Sequence, residues 1–158
     1  MSRFVVVVDT QWDFMAGEGA LSVAGAAALV GPMQAWLSAL KPAEVAGVLF
    51  TFDTHFRETY AASPEAKMFP IHCVRETPGW ANMLDITLLD PAIPAWRIEK
   101  GVFDMWAEPG LAEMVRRLPA KSSTATVSIC RSIPRVRPAG TVTAKPRSTR
   151  PSTAQRTQ

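Results

Sequence analysis

The first apolar cluster in the chain is an unbroken β-branched run, Arg3-Phe-Val-Val-Val-Val-Asp9, that closes on a carboxylate. A run of this kind suits a strand covered on both faces by helices, as in parallel sheets. Gly17, Gly19 and Gly25 then mark a loop. From Ala26 to Leu40 the spacing changes, with Leu29, Val30, Met33, Trp36, Leu37 and Leu40 recurring at helical intervals. Lys41-Pro42 closes that helix, because the residue before proline avoids the α region. Val45 to Asp53 predicts a second buried strand, again ending on a carboxylate. Strand, helix and strand in this order make a βαβ unit. The expected fold is therefore α/β, a doubly wound parallel sheet flanked by helices in three Rossmann-type layers. Active sites of such sheets lie at the carboxyl ends of the strands, where Asp9 and Asp53 both stand.

The segment from Thr54 to Pro78 is long, polar and interrupted by proline, and connections of that length commonly carry function. Arg97 to Val102 predicts a third short strand, and Pro109 to Leu118 a further helix with proline in its first turn. Beyond Leu118 the chain changes character. Residues 119–158 contain no Leu, no aromatic residue and no Asp or Glu, while Ser, Thr, Pro and Arg dominate. Such a composition buries too little apolar surface to offset chain entropy. The chain is thus expected to divide into an α/β body, 1–118, with a sheet incomplete at its C-terminal end, and an irregular basic tail, 119–158. Within the tail, Thr126 to Cys130 is the segment suited to a strand.

Composition sharpens this division. A chain of 158 residues that is 47% hydrophobic fits one domain with its own core and excludes a wholly disordered chain. The formal charge of +3 raises the question of nucleic acid or an anionic membrane. Residues 1–118, however, hold nine Lys/Arg and all fourteen Asp/Glu, a balance of −5, and the tail holds the other eight Lys/Arg, a balance of +8. The tail has no aromatic residue to stack on bases and no recognisable motif, so nucleic acid is not the expected partner. The valine run, Val5 to Val8, is far too short to span a bilayer, and the N-terminus has no leader pattern; a cytoplasmic protein without a membrane partner is expected. Cys73 and Cys130 make no disulfide framework.

Both histidines fall in the polar connection. Asp53-Thr54-His55 places two potential ligands two residues apart, on one side if the strand continues. Glu65 and His72 follow. Carboxylate oxygen and imidazole nitrogen are donors that Zn²⁺, Fe²⁺ or Mn²⁺ accept. The same residues also suit a polar loop with a capping Asp and two solvent-facing histidines. Asp9 is either a general base or a cap on the following loop. Lys100, in Ile98-Glu-Lys-Gly101, is either an ordinary surface lysine or a cation that lowers a thiol pKa and stabilises developing negative charge.

Taken together, these segments resemble the isochorismatase-like cysteine hydrolases, most closely their metal-dependent nicotinamidase/pyrazinamidase branch. Val8-Asp9-Thr10-Gln11-Trp12-Asp13-Phe14 is similar to the family's V-D-x-Q-x-D-F, and Gly19 to Ala26 to its G-x-L-x-V-x-G-A. Thr51 to His55 resembles T-x-D-x-H. Phe69 to Val74 with Thr77 to Trp80 resembles P-x-H-C-V…G-T-x-G, with Glu76 where glycine is usual. Lys100-Gly101 matches the strand-end lysine. The resemblance covers roughly residues 4–118 and is specific because the motifs occur jointly and in order.

The resemblance implies a six-stranded parallel sheet and hydrolysis of a small amide, such as nicotinamide, to acid and ammonia through a cysteine thioester. It implies Asp9 as general base and Lys100 as the partner of thiolate and oxyanion. It assigns Asp53, His55, Glu65 and His72 to a divalent metal (Zn²⁺, Fe²⁺ or Mn²⁺), with Glu58 as second choice for Glu65, and Phe14 and Trp80 to an aromatic substrate ring. The family's nucleophile motif, G-V-x-T-[DNE]-x-C, is absent from the sequence. Cys73 matches a non-catalytic position, and Cys130 lacks the flanking Gly, Thr and acid. Residues from about 120 onward are therefore expected to be out of frame or replaced, leaving a weak or inactive amidohydrolase. The alternative is a metal-binding pseudoenzyme or interaction protein. A sheet edge left open would favour a homo-oligomer.

Overall fold

The computed structural model describes residues 3–108, 110, 111, 113 and the backbone of 125–128. The described residues include the strands β1 (Arg3–Val8), β2 (Val45–Asp53), β3 (Ala95–Lys100) and β4 (Ala125–Ser128). The short helices α1 (Trp12–Met15), α2 (Val30–Ser38) and α3 (Arg57–Tyr60) accompany them. All strand pairs are parallel and the spatial order is β3-β2-β1-β4. The order runs outward from β1 to β3 and then jumps to the other side of β1, so a topological switch point lies at the carboxyl end of β1. Asp9 is the next residue.

The fold is the doubly wound parallel α/β sheet expected from the apolar runs. β2 is buried along nearly its whole length, as a central strand covered on both faces must be. Val5, Val7, Val48, Phe50 and Phe52 point to one side, where Leu37 and Leu40 of the α2 region, Leu84, Leu89 and Ile93 close the larger core. Val6 and Leu49 point to the other side, against Leu111, with Trp96, Ile98 and Met105 packed around them. Each large side chain so buried contributes about 1.5–3 kcal/mol.

Three boundaries differ from the expectation. The helix predicted over 26–40 opens as a 3₁₀ turn, Ala26–Leu29, and is α-helical only from Val30 to Ser38. Pro32 explains the start, since a residue without N–H and with a fixed φ belongs in a first turn. β3 lies at Ala95–Lys100 rather than 97–102, because its last partner is Asp53, the end of β2. The strand anticipated over 126–130 is β4, Ala125–Ser128, paired with β1. The helix expected over 109–118 lies outside the described residues except at 110, 111 and 113, as does the tail apart from β4.

The connection 54–78 is ordered by specific contacts rather than periodicity. His55 forms a parallel bridge with Val74, and 3₁₀ turns occupy Glu65–Lys67 and Pro78–Trp80. Among the described residues no helix is long and apolar enough to cross a membrane.

Candidate metal centre

Three parallel strands end together and bring three charges to one edge. Asp53 and Lys100 are register partners on β2 and β3, and Asp9 follows β1 on the other side of β2. Lys100 Nζ lies 2.8 Å from Asp9 Oδ2 and 3.4 Å from Asp53 Oδ1, with the lysine side chain 4% exposed. Burial alone would push the Lys100 ammonium down; the two carboxylates outweigh it and raise its pKa above the usual lysine value. Asp9 is fixed at its other oxygen by the Thr51 hydroxyl, which donates to Oδ1 at 2.7 Å. Its backbone lies in the left-handed region, φ 51, so the chain leaves the sheet just where the carboxylate must face Lys100.

Asp53 also faces the other way. Its Oδ2 lies 3.1 Å from His55 Nε2 and 3.0 Å from His72 Nε2, and His55 Nε2 lies 3.1 Å from Glu65 Oε2. One donor atom from each of Asp53, His55, Glu65 and His72 falls within 4.8 Å of the others, and all four residues are buried. Extended backbone from Asp53 into the His55–Val74 bridge places the first two side chains on one side. Pro64 opens the turn that carries Glu65 inward, whereas Glu58 is exposed on α3. His72 is held by its own loop: Nδ1 donates to the Pro70 C=O at 2.8 Å, so Nε2 is the ring nitrogen that faces the cluster.

The electrostatics follow from this crowding. Burial works against ionising Asp53, but hydrogen bonds from His55 and His72 and the charge of Lys100 hold its carboxyl well below the usual range. Burial likewise lowers His72, yet Asp53, the Pro70 carbonyl and Glu65 raise it overall.

The donor set fits a divalent ion. At metal–ligand distances of about 2.0–2.2 Å, neighbouring donors sit about 2.9–3.5 Å apart in octahedral or tetrahedral arrangements. Three of the separations, 3.0, 3.1 and 3.1 Å, fall in that interval, and all four donor atoms lie within 4.8 Å of one another. Two carboxylates and two imidazoles suit Zn²⁺, Fe²⁺ or Mn²⁺.

Several supporting residues were not singled out from the sequence. Asp13 Oδ2 accepts the Cys73 N–H at 2.7 Å, and its Oδ1 accepts the Ala20 N–H at 3.1 Å, tying the His72 loop to α1. A Cβ at Gly79 would collide with that carboxylate, so only glycine fits there. Tyr60 stacks edge-on against His55 (4.8 Å) and His72 (5.9 Å), and its hydroxyl donates to the Phe69 and Pro70 carbonyls. Tyr60 lies beside the histidine segment in sequence and Asp13 in the segment after β1, and neither has a periodicity that marks it.

The two residues expected at a substrate ring fare differently. Phe14 stands 5.4 Å from the His72 ring, edge-on. Trp80 packs against Phe52 and beneath the Arg97 guanidinium, and its indole N–H donates to Thr54 Oγ1. Phe52 alternates with Thr51 and Asp53, so the Trp80 ring lies on the side of β2 away from the Asp53 carboxylate. Cys73 is fully buried at φ 45, and burial, with Asp53, Asp13 and Asp9 nearby, pushes its thiol far up. Cys130 lies outside the described residues.

No protein-family profile matches the chain, and no curated protein matches it. Solved structures do. The nicotinamidase/pyrazinamidase PncA from Bacillus subtilis aligns at TM-score 0.61 and 23% identity over 73% of this chain and 65% of that one. The pyrazinamidase of Pyrococcus horikoshii, solved in complex with zinc, aligns at 0.55 and 25% over 73% and 64%. An isochorismatase-like hydrolase from Alkaliphilus metalliredigens aligns at 0.56 and 17% over 73% and 61%. The chain spans just under two thirds of the length of each. It has the isochorismatase-like fold.

Proposed function

We propose that this chain is a divalent-metal-binding amidohydrolase scaffold of the isochorismatase-like type, shaped for a small aromatic amide such as nicotinamide and weak or inactive in turnover. The observation that carries the reading is the buried Asp53–His55–Glu65–His72 cluster sharing Asp53 with the Asp9–Lys100 pair. The zinc-bound pyrazinamidase of similar fold supports a divalent ion in that cluster.

In this reading Asp53, His55, Glu65 and His72 hold the ion, which when bound supplies a positive charge that orients a substrate heteroatom or a water. Asp9, held between the Thr51 hydroxyl and Lys100, accepts the proton of an attacking thiol. Lys100 remains an ammonium and stabilises first the thiolate and then the oxyanion formed at the amide carbon. Phe14 forms the aromatic wall beside His72. Trp80, with its ring taken up by Phe52, Arg97 and Thr54, supports the loop instead of lining the site.

The step that lacks a partner is nucleophilic attack. Cys73 is sealed in the core with a raised pKa, and Cys130 has no nucleophile motif around it. This favours the second reading, a metal-binding protein of the same fold without turnover. The same observations support treating residues 119–158 as a region separate from the body, replaced or out of frame.

The test is ammonia release from nicotinamide by the full chain, with metal analysis alongside. Bound metal with slow or absent ammonia release is the expected result. Rapid turnover abolished by Cys130→Ala would overturn the inactive reading, and a chain that takes up no Zn²⁺, Fe²⁺ or Mn²⁺ would overturn the metal centre.

A further inference from the structure

In a parallel ladder every second residue of one strand donates its N–H to a carbonyl of the partner strand and accepts, through its C=O, the N–H two residues further along that partner. Between β1 and β2 the last such bond runs from Asp9 N–H to Thr51 C=O, 3.2 Å. The pattern next calls for Asp53 N–H to meet the Asp9 carbonyl, and then for the residue 11 N–H to meet the Asp53 carbonyl. Asp9 instead turns into the left-handed region and the chain departs toward α1. Asp53, the residue that faces both Lys100 and the histidines, would be left with its backbone unpaired on this side.

The Gln11 side chain takes both vacant places. Its Oε1 accepts the Asp53 N–H at 2.8 Å, and its Nε2 donates to the Asp53 C=O at 2.8 Å. The second Nε2 hydrogen goes to the Trp80 carbonyl at 3.1 Å, and the residue is 0% exposed. The amide orientation is fixed by its partners: a flipped amide would set donor against the Asp53 N–H and acceptor against two carbonyls. A carboxamide is chemically a peptide unit, so the ladder continues although the main chain has left it.

We propose that Gln11 is a positioning residue for Asp53, a side-chain substitute for the missing β1 peptide that holds the shared ligand in place while Asp9 bends toward Lys100. The inference rests on the metal reading of the cluster, because a ligand is what the clamp positions. Groups that hydrogen-bond to metal ligands typically change affinity by about 10–100-fold, and a carboxylate shared by two sites tolerates little displacement.

The test uses the full chain with Co²⁺ as probe, reading affinity and the visible ligand-field spectrum at saturation. Gln11→Met keeps the shape and removes all three hydrogen bonds. Gln11→Glu keeps an acceptor for the Asp53 N–H but sets oxygen against two carbonyls. Thr10→Val is the comparison, since it removes the neighbouring 2.6 Å bond to Asn82 without touching Asp53. Both Gln11 variants should lose about 10–100-fold in Co²⁺ affinity and shift the spectrum, while Thr10→Val lowers stability and leaves both unchanged. Folded Gln11 variants with unaltered affinity and spectrum would overturn the proposal alone; an unaltered chain that binds no Co²⁺ would overturn the metal reading. Where the variants do not fold, amide exchange in the unaltered chain decides. The Asp53 N–H should exchange as slowly as that of Phe50 within β2, and exchange at loop rates would refute the clamp.

Discussion

Replacing Lys100 with Met should leave two carboxylates facing an apolar tip at the end of the sheet. Removing one partner of a buried ion pair costs about 3–5 kcal/mol, because the remaining charge stays desolvated. Here Asp53 retains two imidazoles at 3.0 and 3.1 Å, so the deficit falls mainly on Asp9, whose side chain is 18% exposed. The lower end, about 3 kcal/mol, is therefore expected. With a urea dependence of about 2 kcal/mol/M, the unfolding midpoint should fall by about 1.5 M. Adding Asp9→Asn to Lys100→Met removes the stranded charge and should restore part of the loss, giving a coupling near 2 kcal/mol in a double-mutant cycle. The sign with pH is also set. Lys100 is raised, so its contribution is complete below the ordinary lysine value of about 10.4 and is lost only as pH rises beyond it. Asp53 is lowered, so its contribution persists above the ordinary carboxyl value of about 3.9 and is lost as pH falls. The gap between the unaltered chain and Lys100→Met should stay constant from pH 6 to 9. A cost under about 1 kcal/mol, or two substitutions that add within about 0.5 kcal/mol, would refute the buried triad.

Other expectations are narrower. Metal affinity, followed by competition with a chelator, should weaken about tenfold per pH unit for each imidazole that must shed a proton, starting above the ordinary histidine pKa because His72 is raised; affinity independent of pH between 5.5 and 8 would contradict the imidazole ligands. Cys73 should resist a thiol reagent in the native chain at pH 8 and react on unfolding, since it is fully buried with its thiol pushed up; rapid native labelling at Cys73, located by peptide mapping, would contradict this. Glu76 occupies φ 65, a conformation that costs a non-glycine residue about 1–2 kcal/mol. Glu76→Gly, after the extra freedom of glycine in the unfolded chain, should raise stability by about 0.5–1 kcal/mol in urea titration, and a clear loss would refute the strain.

The parts of the molecule legible in its sequence are those that obey a period. The valine run of β1 and the buried stretch of β2 announce a parallel sheet, and their terminal acids announce its reactive edge. The histidine segment was legible because imidazoles and carboxylates are few and close together in the chain. What escaped depends on where the main chain leaves a period. The bend at Asp9 follows from a single left-handed residue, and nothing in Val8-Asp9-Thr10 marks it. Gln11 and Thr51 acquire their partners only once that bend exists, and Asp13 reaches Cys73 across 60 residues of chain. The surroundings of Trp80 escaped for a related reason. Proximity in sequence to a ligand loop does not say which face of β2 a side chain will cover, and the Phe52 alternation decides that. Glu76 stands where glycine is usual in the motif, and its φ of 65 supplies the physical reason for that glycine.

If Asp53, His55, Glu65 and His72 form one metal centre, calorimetric titration of the full chain with Zn²⁺ will show it. A single tight site is expected, stabilising the fold by about 2.7 kcal/mol at a free-metal concentration a hundred times the dissociation constant, with affinity reduced by more than about 100-fold in His72→Ala. Absence of a saturable site, or equal Zn²⁺ affinity in the unaltered chain and in His72→Ala, would contradict it.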